Sequence, residues 1–143
     1  MMALANVADV LGLPARETAA RSPFGLISRI ERGLPVDTLE RVAQLLAPDD
    51  AQFKYRLVPK ATLDRRKSAR RLSAEEGTRL ARVARVWWLA LDVWQSDEDA
   101  RDFLFRPHAM IEDRRPIDVM IQSEFGAELV ADILGSLKYG SAA

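Results

Sequence analysis

Apolar positions along this chain recur at intervals of three and four, the period of a helix with one buried face, and never alternate over any length as a half-buried strand requires. From Leu34 onward the pattern is nearly continuous. Val36, Leu39, Val42, Ala43, Leu45 and Leu46 form one stripe, with Asp37, Glu40, Arg41 and Gln44 opposite. Pro35 suits a first helical turn, where its missing N–H has no partner to lose. Pro48 ends this helix. Asp49 is placed to cap another, carrying Ala51, Phe53 and Leu57. After a break at Val58-Pro59 comes a short basic helix, Lys60-Ala61-Thr62-Leu63-Asp64-Arg65-Arg66-Lys67, with Ala61 and Leu63 as its anchors. Helix, short turn and short basic helix are the outline of a helix-turn-helix.

Ser73-Ala74-Glu75-Glu76 is a capping box, with Ser73 at the N-cap and Glu76 at N3. It predicts a long helix from about Ala74 to Trp94. The first half is amphipathic, with Leu80, Val83 and Ala84 inward and Arg79, Arg82 and Arg85 outward; Val86 to Val93 is apolar nearly all round, as a helix contacted on several sides must be. Trp87, Trp88 and Trp94 read as core or interface rather than as a ligand platform. Ser96, with Asp97, Glu98 and Asp99 behind it, starts the next helix, where Ala100, Phe103 and Leu104 face inward. Pro116 opens a helix with Ile117, Val119, Met120 and Ile121. Ser123 caps the last, with Phe125, Leu129, Val130, Ile133, Leu134 and Leu137 on one buried side, Lys138 near its C-terminus and Tyr139-Gly140 as its end. The chain is all-α on this pattern.

The first 33 residues are harder to read. Leu4, Val7, Ala8 and Leu11 have helical spacing, stopped by Gly12 and Pro14. Ser22-Pro23-Phe24-Gly25 reads as a second break, and Leu26, Ile27 and Ile30 fit a short helix or a strand ending at Gly33. The expectation is a partly ordered extension over 1–33, its first dozen residues a mobile arm.

Charge sharpens this picture. The net charge of the 143 residues is zero, yet residues 51–90 hold 11 Lys+Arg against 3 Asp+Glu, while residues 91–143 hold 5 against 11. The stretch from Lys60 to Trp94 therefore begins basic and ends apolar, suited to a polyanion at one end and to a protein core at the other. On the basic helix, Lys60, Thr62, Arg65, Arg66, Lys67 and Arg70 are the candidate DNA-binding residues, as partners for phosphates and guanine edges. Against a regular motif stands the turn Leu57-Val58-Pro59, which lacks the frequent glycine.

Catalysis finds little support. There is no cysteine and one histidine, His108, which beside a proline reads as an exposed loop residue. No glycine-rich phosphate loop occurs, and the consecutive carboxylates at Asp97–Asp99 do not face one another. The expectation is a non-enzyme with no catalytic residue, no metal site and no cofactor. No apolar run approaches the roughly 20 residues of a membrane span, and the N-terminus lacks a signal-peptide pattern, so a cytoplasmic address without membrane contact is expected.

These residues together resemble the Xre/MbcA/ParS-type antitoxins, partners of RES-domain toxins in type II toxin–antitoxin modules. The likeness runs through Ile30-Glu31-Arg32-Gly33-Leu34-Pro35, Thr62–Lys67, Arg71–Glu76, the long helix, Phe103-Leu104, Arg106-Pro107, Arg115-Pro116-Ile117-Asp118 and Lys138-Tyr139-Gly140. It implies an Xre-like helix-turn-helix domain over 34–72, joined by the long helix to a toxin-binding domain over 73–143. It further implies operator DNA and a RES-domain, NAD-consuming or ADP-ribosyltransferase-like toxin as partners, a homodimer that forms a hetero-oligomer with toxin, and repression of its own operon. The family pattern nominates Lys138, Tyr139, Gly140 and Ser141 to block the toxin active site, with Arg115 and Pro116 as a supporting loop. One departure stands out: the glycine pair usual before this loop's arginine is here Glu112-Asp113. The alternative is a DNA-binding regulator whose C-terminal half only dimerises.

Overall fold

The computed structural model describes residues 3–140. Among these residues there are nine α-helices and no strand: α1 (Ala3–Val10), α2 (Pro23–Arg32), α3 (Asp37–Leu46), α4 (Lys54–Leu57), α5 (Lys60–Ala69), α6 (Ala74–Trp94), α7 (Asp97–Phe105), α8 (Pro116–Gln122) and α9 (Glu124–Tyr139). Two 3-10 turns, Thr18–Arg21 and Ala109–Ile111, punctuate the loops. No helix among the described residues is long and apolar enough to cross a membrane. The chain forms two compact units, Met1–Arg85 and Val86–Ala143, so the division falls inside α6.

In the first unit the N-terminal segment is packed from Val7 on, where a mobile arm was expected; Met1 and Met2 lie outside the described residues. Val7, Ala8, Val10, Leu11 and Leu13 are buried. Arg21 donates to the carbonyls of Leu13, Pro14 and Glu17 and pairs with Asp9 at 2.6 Å. Arg41 on α3 donates to the Val10 carbonyl at 3.0 Å, which ties the segment to the helix 31 residues on. The expected break at Ser22-Pro23 is instead a helix start. The Ser22 hydroxyl accepts from the Gly25 N–H at 3.1 Å, and Pro23 occupies N1, where its ring is pre-set for a helix. This settles residues 23–32 as α2. Gly25 is required there, since a Cβ would fall 1.6 Å from the Ala19 carbonyl oxygen.

Leu34, Leu39, Val42 and Leu46 are fully buried, each worth about 1.5–3 kcal/mol of burial. Asp50, not Asp49, makes the turn after α3, its carboxylate accepting from the Gln52 N–H at 2.9 Å. The helix-turn-helix turn closes without glycine because its backbone never turns left-handed. Val58 is extended at φ −137° and Pro59 follows at φ −55°, both open to ordinary residues. Val58 is buried, and Arg79 of α6 donates to the Leu57 carbonyl at 2.7 Å, capping the end of α4.

In the second unit Val86, Trp87 and Ala90 of α6 are buried with Ala100, Phe103 and Leu104 of α7. Ser96 and Ser123 each accept an N-cap hydrogen bond as their positions predict. The buried face of α9 differs from the expected one. Gly126, Ala127, Val130, Ala131 and Leu134 point inward, while Phe125 (84 % exposed), Leu129 and Leu137 (43 % each) point out. Close packing on α8 is the reason: at Gly126 a Cβ would lie 2.1 Å from the Val119 carbonyl oxygen. The helix presents the face whose side chains are small enough for that approach, not the face with the most apolar volume.

Candidate functional surfaces

On α5 only Leu63 is buried, so one residue anchors the helix and Ala61 is exposed. Lys60, Arg65 and Lys67 are exposed along it, and Arg70 follows at a left-handed C-cap, φ 60°. Thr62 is half-buried, accepting weakly from Arg65 at 3.4 Å. Lys67 lies 3.7 Å from Asp64 in an open ion pair, which leaves its charge accessible. Arg71, just beyond, donates to the Arg32 carbonyl at 3.1 Å. The sequence-nominated cations thus share one short polar helix and its end.

Arg66 is the exception. Its Nε and Nη2 donate to the two oxygens of Glu76 at 2.9 and 3.1 Å. Glu76 also accepts from the Ser73 N–H at 2.8 Å, while the Ser73 hydroxyl accepts from the Glu76 N–H at 3.2 Å. The capping box is therefore formed as read, and its glutamate additionally grips the middle of α5. Burial raises the Glu76 pKa, but the bonds from Arg66 and Ser73 outweigh that effect and hold it below the ordinary 4.5. Arg66 positions the basic helix in this arrangement, with its guanidinium committed.

In the second unit the loop from Arg106 to Arg115 is tightly built. The His108 N–H donates to the Arg114 carbonyl at 3.1 Å, and the Asp113 N–H to the His108 carbonyl at 2.9 Å. The His108 ring stacks on Phe103 with centroids 4.7 Å apart, and its Nε2 lies 2.9 Å from the Phe103 carbonyl oxygen. It is a half-buried pin for the loop, where an exposed side chain was expected. Glu112 and Asp113 both sit in the left-handed region, φ 58° and 62°. The loop thus keeps a shape made for glycine with two residues that carry a Cβ. Arg115 pairs with Asp118 through two bonds of 2.9 and 3.0 Å and lies over Phe105; Pro116, buried at N1, starts α8. Both hold this loop-to-helix junction.

At the end of α9, Lys138 reaches the Asp92 carboxylate at 3.1 Å. Tyr139 is 80 % exposed and Gly140 closes the helix at φ 73°. Ser141 lies outside the described residues. Lys138, Tyr139 and Gly140 thus emerge together, while Arg115 and Pro116 have partners of their own at the start of α8. The outward apolar residues of α9 escaped sequence reasoning, which assigned them to the core. Glu124, Glu128 and Asp132, spaced four apart beside Phe125, Leu129 and Ile133, were the available signal. Among the described residues no group of three or more His, Asp or Glu is arranged to hold a metal ion.

A helix-turn-helix unit with a basic helix, followed by an acidic helical unit with an exposed end, defines a two-part binding protein. Comparison with known families is specific about the kind. Residues 25–85 match the antitoxin Xre-like helix-turn-helix domain, and residues 89–140 match the antitoxin Xre/MbcA/ParS C-terminal toxin-binding domain. Antitoxin Xre of Yersinia enterocolitica serotype O:8 / biotype 1B is 29 % identical over 133 residues, covering 91 % of this chain and 86 % of that one. The chain belongs to the Xre/MbcA/ParS antitoxin family, with its helix-turn-helix domain ahead of its toxin-binding domain.

Two stability predictions follow from these geometries. Glu76→Gln keeps the capping geometry but loses the charge facing Arg66, at a cost of about 1–2 kcal/mol at pH 7. Because the folded pKa of Glu76 lies below its ordinary 4.5, its carboxylate stabilises the fold above that pH and the contribution is lost as pH falls through the folded value. Thermal melts of parent and variant should differ at pH 7 and converge below about 4.5; an unchanged gap at low pH contradicts this account. Glu112→Gly relieves a left-handed Cβ and should stabilise by roughly 0.5–1 kcal/mol after the entropy of glycine is counted. The Glu112–Arg114 pair it removes spans 3.7 Å between exposed side chains and contributes little. A urea midpoint that fails to rise would show the loop to be relaxed already.

Proposed function

We propose that this chain neutralises a RES-domain toxin by seating its C-terminal end in the entrance of the toxin's NAD-using active site, and that it represses its own operon through α5. The observation that carries the first part is the end of α9: the toxin-binding family match runs to residue 140, where Tyr139 stands exposed beyond a lysine pinned to Asp92. The Lys138–Asp92 pair fixes where the tail leaves the helix. Tyr139 then offers a rigid aromatic anchor, and the small residues Gly140 and Ser141 pass into a narrow cleft without clash. A cleft shaped for an anionic dinucleotide supplies the cations that the acidic second unit attracts.

For the operator, the exposed cations Lys60, Arg65, Lys67 and Arg70 contact phosphates and base edges, Thr62 sits at the same surface, and Arg66 sets the helix angle through Glu76. A symmetric pair of these helices from a homodimer would read two half-sites about one helical turn apart.

Removal of residues 138–143 should leave a folded protein, since the ion pair lost is between partly exposed groups. Co-expressed with a RES-domain toxin, the truncated chain should fail to protect cells while the full chain protects; full protection by the truncated form refutes the tail mechanism. On the DNA side, Arg65→Ala with Arg70→Ala should lower operator affinity by about tenfold or more and flatten the salt dependence in gel shifts across a salt series. An unchanged salt slope removes this helix from the phosphate contacts.

A further inference from the structure

Four of the exposed large apolar side chains, Phe125, Leu129, Leu137 and Tyr139, lie on α9. An apolar row of this size left in water on one helix marks a binding face. Phe125, Leu129, Ile133 and Leu137 are four residues apart and so form one continuous row, Ile133 half-buried where the row meets the packed side. Glu124, Glu128 and Asp132, also four apart and exposed, form a second row beside it. The second unit is acidic throughout, residues 91–143 holding 11 Asp+Glu against 5 Lys+Arg and residues 86–90 none of either. An apolar row edged on one side by carboxylates is complementary to one kind of surface: an apolar groove with lysine or arginine along one rim.

We propose that the outer face of α9 docks into a basic-rimmed apolar groove on the toxin, and that this docking supplies most of the binding energy, while residues 138–143 only occlude. The inference rests on the toxin-binding reading above and divides its site into an anchor and a plug. Phe125 and Leu129 fill the groove. Glu128 and Asp132 meet its basic rim, steering association and setting the register of the helix. The tail, held at Lys138, then arrives at the active site already localised. Its contacts add little to affinity, because they are few beside those of the apolar row.

The test uses the full-length chain and a purified RES-domain toxin, with binding followed by surface plasmon resonance and inhibition by NAD consumption. Phe125→Ser with Leu129→Ser should weaken binding by about 100-fold, mostly through dissociation. Glu128→Lys with Asp132→Lys should slow association by about tenfold at low salt, with the difference shrinking as salt rises. All four positions face solvent, so circular dichroism and the melting temperature should match the parent. The chain lacking residues 138–143 should bind within a few-fold of the parent yet fail to inhibit. Parent-like binding by both face variants, or loss of binding on removing the tail alone, overturns the proposal while leaving toxin neutralisation intact. A parent chain that neither binds nor inhibits the toxin overturns the reading beneath it, and the docking face with it.

Discussion

A single carboxylate organises the first unit. Glu76 is buried, accepts from Ser73 to close the first turn of α6, and takes two bonds from Arg66 in the middle of α5. Each role alone is common. Together they bind the start of the longest helix to the basic helix through one charged group. A capping box fixes where a helix begins, and an ion pair fixes where a neighbouring helix lies. Glu76 does both, so the position of the exposed cations on α5 is set by the same atoms that begin α6. Arg79, three residues on, donates to the Leu57 carbonyl and secures the end of α4. One turn of α6 thus holds both sides of the Val58-Pro59 turn.

The second unit relies on a different constraint, the left-handed backbone at Glu112 and Asp113. Two consecutive residues with positive φ reverse the chain so that Arg114 can pair its carbonyl with the His108 N–H, and Arg115 arrives beside Asp118 at the head of α8. Aspartate tolerates that region better than glutamate, and neither matches glycine. The contacts made by His108, Ile111 and Arg115 hold the conformation in place. Strain of this sort persists where surrounding contacts over-determine the backbone.

Most of the helical framework was legible because it is written locally. The box at Ser73–Glu76, the serines at 96 and 123 and the prolines at 48, 59 and 116 act within a turn of where they stand, and each marks an end the structure keeps. The failures came where a distant atom decides. Ser22-Pro23 has the composition of a break and of a helix start alike, and only the packing of residues 23–32 separates them. Arg66 looks like its neighbours on α5, and nothing in its immediate surroundings announces Glu76 ten residues away. The inward face of α9 was misjudged because apolar volume was taken as the measure of burial, whereas the approach of α8 selects for small residues around Gly126. For the candidate site, the end at Tyr139-Gly140 was legible from a family resemblance; the outward row on α9 is evident only in the folded structure.

The zero net charge of the chain conceals a separation that bears on both partners. A protein with its cations spread evenly would attract DNA and repel a basic groove with either half. Here the charges of the basic block lie in residues 51–85 and those of the acidic block in residues 91–143, on different units. DNA, a polyanion, is drawn to the first and repelled by the second; a protein groove rimmed with lysine and arginine experiences the reverse. At physiological ionic strength such fields fade within about 8 Å, so a ligand feels mainly the charges nearest to it. Segregated charge gives the two units surfaces suited to different ligands, and on the proposed reading specificity is left to the shape of α5 at one and the apolar row of α9 at the other.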